Sequence, residues 1–516
     1  MPGTSRPGGP GAHAKGRGQG GRGHGAGGGR FGGGPGGAGG RGGPGGGPQD
    51  RGNAPFNRNS RIPLTITGLT SAGEGVGRFK DFTVFVPHTV PEDEVDVRIS
   101  EIKSNYAHAE LISVKKPSPD RIDSRCGLFH SCGGCDLQHI AYKRQLALKT
   151  QVVRDAVERI AKLKDTVVHE MVGAANPWNY RNKIQVPVGR REKDIVIGCF
   201  SKGSHHIVDT DNCLIQHPTN NRIVQELRKL IVKYNLEPYD ERTGQGFIRH
   251  ILARVSYKTG EAMVVLVTNG LDFPDGSRLA QELMGRVPHV ASVIQNVNIE
   301  RTNVILGQAT RVLAGSETLD DAINIGPGFE PLRFKVSAKS FFQTNPEQTE
   351  ILYQQVLRYA DLSWKEIVVD VYCGVGTIAL FLAQKAQKVY GIEVVNEAIT
   401  DARFNARINR IPNAEFLLGE AEKVMPQLTN SGVKADIVVV DPPRKGCDNK
   451  VLDAIAKMAP AKVIYVSCNP ATMARDLGVL AEKGYTRVEI QPVDMFPQTA
   501  HIECVARLEI NLPAEG

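Results

Sequence analysis

No apolar run in this chain approaches the roughly 18 residues that a membrane-spanning helix requires, so a helical bilayer anchor is excluded. A secretory signal is not expected, because Gly, Pro and Arg stand where its apolar core would lie; the expected location is the cytoplasm. Acids and large apolar side chains are almost missing from residues 1–60. That segment holds about half of the 56 glycines and eight Lys and Arg against Asp50 alone, a net +7 out of a formal +8. With Gly-Gly-Arg and Arg-Gly-Gly units repeated through Arg22, Arg30, Arg41 and Arg51, it cannot bury enough surface to offset its ordering entropy and is expected to be disordered. The remainder carries +1 (8 − 7), so the basic balance belongs to the tail and says little about the body. Cysteine is scarce, nine in 516 residues, which in a long intracellular chain points to metal binding or catalysis rather than to a disulfide framework.

From Pro63 short alternating runs with glycine-rich turns begin: 64–69, 71–78, 83–86, 94–102 and 106–114. Five strand-like runs in such a short span predict a small OB-type barrel, with Pro117-Ser118-Pro119 marking its end. Residues 142–160 have apolar positions at Tyr142, Leu146, Val153, Val157 and Ile160, a helical period. Strands are expected at 184–188, 195–200, 251–257 and 263–268. Asn345-Pro346-Glu347-Gln348 reads as a helix cap with proline in the first turn. Beyond it, runs at 367–372, 389–393, 437–441 and 463–467 alternate with helical segments, the pattern of a parallel, doubly wound α/β sheet.

Asp370-Val371-Tyr372-Cys373-Gly374-Val375-Gly376-Thr377 falls at a strand-to-helix turn where glycine lets the backbone approach a ligand. The third glycine or lysine of a phosphate-binding loop is missing, and Glu393 follows 23 residues after Asp370 (393 − 370), at the end of the next strand, where a ribose diol would lie. An adenosine ligand without phosphates fits, and S-adenosylmethionine is the commonest of these. Asp441-Pro442-Pro443-Arg444 rigidly aims a carboxylate at the same crevice, and Arg444 in place of an aromatic argues against amino-group methylation. Cys468, in Ser467-Cys468-Asn469-Pro470, and Glu503, in His501-Ile502-Glu503, supply a thiol and a carboxylate. Those are the parts needed to methylate carbon 5 of uridine: a thiolate adds to carbon 6, the resulting enolate takes the methyl group, and a base removes the carbon 5 proton. Cys126, Cys132 and Cys135 with distant Cys213 form a second constellation, whose four thiolates suit zinc or an iron–sulfur cluster. Cys199, Cys373, Cys447 and Cys504 are read as structural. Tyr180-Arg181-Asn182-Lys183, Arg249-His250 and Arg254 are either a solvated face or phosphate contacts.

Together Phe341-Phe342-Gln343-x-Asn345, the Asp370 to Thr377 motif, Asp441-Pro442-Pro443-Arg444-Lys445-Gly446, Ser467-Cys468-Asn469-Pro470-x-Thr472 and His501-x-Glu503 resemble, in order and spacing, the motifs of bacterial RNA uracil-5 methyltransferases. The resemblance runs from about residue 61 to 508 and is strongest to the ribosomal-RNA form that modifies two uridines. It implies a Rossmann-like methyltransferase domain at 340–516 and a TRAM domain, an RNA-binding OB-type barrel, at 61–117. It further implies a mixed α+β central region at 118–339, of which 138–169 packs with the catalytic domain. Cys468 is then the nucleophile and Glu503 the base, and Gln343, Tyr372, Glu393 and Asp441 contact S-adenosylmethionine. Cys126, Cys132, Cys135 and Cys213 hold a 4Fe-4S cluster, as in the family's ribosomal-RNA members. The expected substrate is 23S ribosomal RNA, acted on by a monomer without an obligate protein partner. Transfer RNA, a catalytically silent RNA-binding module and cytosine-5 methylation are the alternatives.

Overall fold

The computed structural model describes residues 54–510. The expectation of a disordered tail therefore falls mostly on residues 1–53, outside the described residues. Its boundary at residue 60 is corrected, because 54–60 are packed: Phe56 is buried, its ring edge-on to that of Phe82 at 5.4 Å, and Asn59 N donates to Ile99 O at 2.8 Å. One buried aromatic ring offsets the ordering of a few residues.

Five strands, Arg61–Leu69, Gly75–Phe79, Phe82–Val86, Glu94–Ile102 and Tyr106–Lys116, close into the expected barrel in the order first, second, third, fifth, fourth. Ile62 and Leu64 point inward opposite Val97 and Val95, each flanked by more exposed neighbours, the period of two that a half-buried strand demands. At the barrel exit buried Asp93 accepts from Val90 N (2.7 Å), Ser118 N (2.9 Å) and Arg121 Nε (3.0 Å).

The helix after the cysteine loop spans Tyr142–Ala156 and ends in one wider turn, Val157–Ala161. Its buried face differs from the apolar pattern. Gln145, Lys149 and Thr150 are buried with Leu148 and Val153, while Ile160 is exposed. The helix lies against a polar loop, and its partners are polar in consequence: Lys149 Nζ pairs with Asp494 Oδ1 at 2.6 Å, Tyr142 OH donates to Asp494 Oδ2 at 2.8 Å, and Gln145 Nε2 donates to Gln498 Oε1 at 3.0 Å.

A seven-stranded sheet follows in the spatial order Ala309–Gly315, Val290–Val297, Ala262–Thr268, Ile248–Val255, Lys183–Arg191, Asp194–Phe200, Ile207–Asp209. Helices Pro218–Lys233 and Gly276–Arg286 pack on it through Leu227 and Leu283. Every residue of Ile248–Val255 is buried, which corrects the reading of Arg249, His250 and Arg254 as phosphate contacts. Arg249 instead donates to Asn298 O (2.7 Å) and Glu300 O (2.9 Å) and lies 4.3 Å over the Tyr239 ring. Arg254 donates to Ser340 O at 2.9 Å.

The eight-stranded sheet has the order Ala414–Leu418, Lys388–Glu393, Ile367–Val371, Ile437–Val440, Lys462–Ser467, Glu503–Glu509, Arg487–Val493, Val167–Val168. The first five are parallel. Glu503–Glu509, outside the runs read as parallel, is antiparallel to both neighbours. A nine-residue loop, too short for a crossover helix, joins it to Arg487–Val493. Val167–Val168 pairs with Arg487–Val493 although the whole central sheet intervenes in sequence. Among the described residues no helix is long and apolar enough to cross a membrane.

Candidate functional site

Four strand ends deliver the chemistry. The strand Ile367–Val371 stops at Tyr372, whose φ is 66°, followed by Gly374 at 54° and Gly376 at 84°. A Cβ on Gly376 would come within 2.9 Å of the Phe416 ring, whereas one on Gly374 would meet nothing within 4 Å. The turn is thus packed beneath and open above, as a ligand-cradling backbone has to be. Glu393 closes the next strand and accepts from Gly374 N (3.2 Å), Val394 N (2.7 Å) and Val395 N (3.0 Å), so its carboxylate is fixed at the head of that turn.

Asp441 follows the strand Ile437–Val440, its N–H donating to Val371 O at 3.3 Å. Burial pushes its carboxyl up to about 6. Asp370, which the sequence places in the glycine motif without a role, is buried with both carboxylate oxygens unpartnered. Burial and then the Asp441 charge hold it well above the usual carboxylate range.

The antiparallel strand explains how the two reacting groups meet. Its register ends with Ser467 paired to Cys504, which brings Cys468, just past one strand end, near Glu503 at the start of the other, whose charge acts on the thiol. Asn469 caps the following helix Pro470–Glu482 by accepting from Ala471 N, and its own N–H donates to Ser467 Oγ at 3.0 Å, which fixes the thiol between strand end and helix cap. Burial, then Glu503 and Asp441, push the Cys468 thiol up to about 11, with Arg444 opposing them. Burial and Asp441 likewise raise Glu503 well above its ordinary value, and Arg444 again opposes. Cys468 is thus a thiol among acids, whose ionisation burial and its neighbours oppose. Arg444, noted in the sequence only for what it excludes, is the cation that acts on both. Its carbonyl accepts from Asn469 Nδ2 (3.2 Å) and Thr472 Oγ1 (3.2 Å), joining the two motif loops.

Gln343 and Tyr372 are half-buried on adjoining loops. Two residues past Gln343, Asn345 caps Pro346–Ala360 as expected and donates from Nδ2 to Met495 O at 3.0 Å. Of the basic motif, Tyr180 is buried and donates to Pro497 O at 3.0 Å, and burial, then Arg254 and Arg181, push Lys183 down to about 7.

The cysteines form a separate group. Burial pushes the Cys135 thiol up to about 12, with Cys213, Cys132 and Cys126 adding to the rise, and Cys213 is raised by burial with Cys132 and Cys126 among its neighbours. Asn221 brackets Cys213, accepting from its N–H and donating to its C=O, both at 3.1 Å. Cys199, read as structural, joins this group: the Cβ position of Gly134 is 3.4 Å from Cys132 Sγ and 3.6 Å from Cys199 Sγ. A fifth cysteine on a strand far from the others in sequence carries no spacing signal. Among the described residues no group of three or more His, Cys, Asp or Glu is arranged to hold a metal ion.

Comparison with known proteins follows this layout. Residues 141–510 match the model of the family described as tRNA (Uracil-5-)-methyltransferase, and residues 55–112 match the TRAM domain. An uncharacterized RNA methyltransferase of Halalkalibacterium halodurans is 46% identical over 458 residues, 89% of this chain and 99% of the relative. One from Bacillus cereus is 47% identical over 456 residues, 88% of this chain and 98% of the relative. The crystal structure of Pyrococcus abyssi tRNA (uracil-54, C5)-methyltransferase in complex with S-adenosyl-L-homocysteine superposes with a TM-score of 0.67 at 27% identity, covering 87% of this chain and all of that one. With the thiol, the carboxylates and the glycine turn all inside the matched segment, the chain belongs to the tRNA (uracil-5-)-methyltransferase family, S-adenosylmethionine-dependent RNA methyltransferases, here carrying an N-terminal TRAM domain.

Proposed function

We propose that this enzyme methylates carbon 5 of uridine in 23S ribosomal RNA, with Cys468 as nucleophile and Glu503 as base. The observation that carries the chemistry is the register that brings Cys468 near Glu503, with Asp441 also acting on the thiol. Cys468 gives its proton to solvent and its sulfur bonds to carbon 6 of the ring, moving the electron pair of the ring double bond to carbon 5 as an enolate. S-adenosylmethionine, when bound, supplies an electrophilic methyl group to that carbon. Glu503 then takes the proton from carbon 5, the ring electrons return, and the sulfur–carbon bond breaks. A carboxyl held above its usual range is the stronger base that this last step requires.

Tyr372, the glycine turn and Glu393 would hold the adenosine part, with Glu393 facing the ribose hydroxyls and Gln343 on the adjoining loop. Asp370 and Asp441 suit a cation, because each is a buried acid without a compensating charge; the sulfonium methyl donor is one. Cys126, Cys132, Cys135 and Cys213, all half-buried, would be the ligands of a 4Fe-4S cluster, as the resemblance implies. Four thiolates leave no open coordination position, so the cluster would brace the central region. That set also supports the ribosomal target, since the resemblance places the cluster in ribosomal-RNA members.

Transfer RNA is the second reading, favoured by the family description and by the structural relative's title. Mapping 5-methyluridine in both RNA classes from a strain lacking the enzyme decides it. Loss confined to ribosomal RNA supports the proposal, and loss confined to transfer RNA contradicts it.

A further inference from the structure

We infer that a cleft beside the motif loop 341–345 takes one unpaired adenine of the RNA substrate. The inference deepens the reading above: it rests on RNA being the substrate, and neither on the uridine chemistry nor on the RNA class. The cleft is lined by Trp178, Asn182, Tyr257 and Glu347, together with His217 and Asn345, the caps of Pro218–Lys233 and Pro346–Ala360. Each cap accepts from its own helix, His217 from Thr219 N and Asn345 from Gln348 N, so these walls are fixed. Asn182 is 4% exposed. Its backbone is fully paired: the N–H donates to Thr344 O at 2.8 Å, and the carbonyl accepts from Val255 N at 2.9 Å and Asn220 Nδ2 at 3.0 Å. Its side-chain Oδ1 and Nδ2 have no hydrogen-bond partner in the protein. A buried amide without partners costs stability, and this one belongs to a cleft residue tied by one hydrogen bond to the loop that carries Gln343.

The lining says which ligand fits. Among the described residues that line the cleft, Glu347 is the one carboxylate and none is Lys or Arg, so a phosphate is disfavoured there. Trp178 and Tyr257 offer aromatic surface to an unstacked base. Tyr257, 52% exposed, donates to Glu347 Oε1 at 3.2 Å and so holds that carboxylate at the cleft. An asparagine amide engages adenine with both its atoms, donating to a ring nitrogen and accepting from the amino group, and the second amino N–H suits Glu347. Arg125 lies 4.8 Å over the Trp178 ring, outside the lining, as a cation for the adjoining phosphate.

Trp178 is one of two tryptophans, so full-length Trp364→Phe leaves it as the sole indole. Its fluorescence is titrated with a short oligoadenylate, an oligouridylate of the same length and an abasic oligonucleotide of that length. We expect saturable quenching by oligoadenylate at concentrations about tenfold lower than oligouridylate needs, the discrimination of one two-point base contact, and none by the abasic strand. In the same background Asn182→Ala and Tyr257→Ala should each weaken oligoadenylate binding about tenfold. Tyr257 is a surface residue, so its variant carries the test should Asn182→Ala fail to fold. Equal quenching by the abasic strand, which would put a phosphate in the cleft, equal affinity for oligouridylate, no quenching at all, or unchanged affinity in the folded variants would each overturn the inference. Methyl transfer is not a readout, so failure of the uridine reading leaves these outcomes unchanged.

Discussion

Asp441 is a residue whose charge costs the folded protein stability and, in the proposed mechanism, meets the methyl donor. Its folded value of about 6 lies above its ordinary 3.8, so folding takes up a proton between those pH values and the penalty of the bare carboxylate is full only above about pH 6. A shift of that size corresponds to at most roughly 3 kcal/mol, at about 1.4 kcal/mol per unit. Asp441→Asn should therefore unfold at a higher temperature than wild type at pH 7 without cofactor, with the difference vanishing toward pH 4. It should also bind S-adenosylmethionine more weakly. An unchanged melting temperature at pH 7, with unchanged affinity by calorimetry, would show that the carboxylate neither bears the strain nor meets the cofactor. Which acids are present was legible in the sequence. That Asp441 and Glu503 raise Cys468, and that Asp441 also raises Asp370, was not, because desolvation depends on what covers a group.

The antiparallel strand Glu503–Glu509 and the helix Tyr142–Ala156 are the elements that sequence pattern missed or misread. Strand polarity leaves no trace in a short apolar run, so the meeting of Cys468 and Glu503 was inferred from chemistry and explained only by register. On the helix the buried Lys149 and Gln145 read as solvent-facing because their partners lie some 350 residues away, Asp494 and Gln498. The Lys149–Asp494 pair is buried on both sides, 2% and 0% exposed, and it anchors the loop that leads into Glu503. Lys149→Ala leaves Asp494 charged and buried, a loss of about 3–5 kcal/mol. The double change Lys149→Met with Asp494→Leu should recover most of that in urea denaturation. If the single variant loses less than about 1 kcal/mol, the surface-pair range, the pair is not an anchor. The barrel, the asparagine cap at 345 and the ends of the parallel strands were legible because each rests on local chemistry: alternation, proline after asparagine, and a polar residue closing an apolar run.

At the scale of the whole molecule, charge and chemistry are divided along the chain. Residues 1–53 carry seven Lys and Arg against Asp50 alone, net +6, and none of the motifs. Deleting them should leave the methylated position and turnover at saturating RNA unchanged and make the salt dependence of RNA binding shallower, since fewer phosphate counterions are released. A truncated enzyme that modifies a different uridine would contradict that division. The central claim, covalent addition by Cys468 with proton removal by Glu503, is tested most directly by incubating full-length Glu503→Gln with RNA and S-adenosylmethionine and sequencing any adduct that survives denaturing electrophoresis. The account predicts a trapped complex in which the Cys468 sulfur is bonded to carbon 6 of a ring already methylated at carbon 5, and no complex when Cys468→Ala is added. An adduct on another cysteine, or full turnover by Cys468→Ala alone, would contradict it.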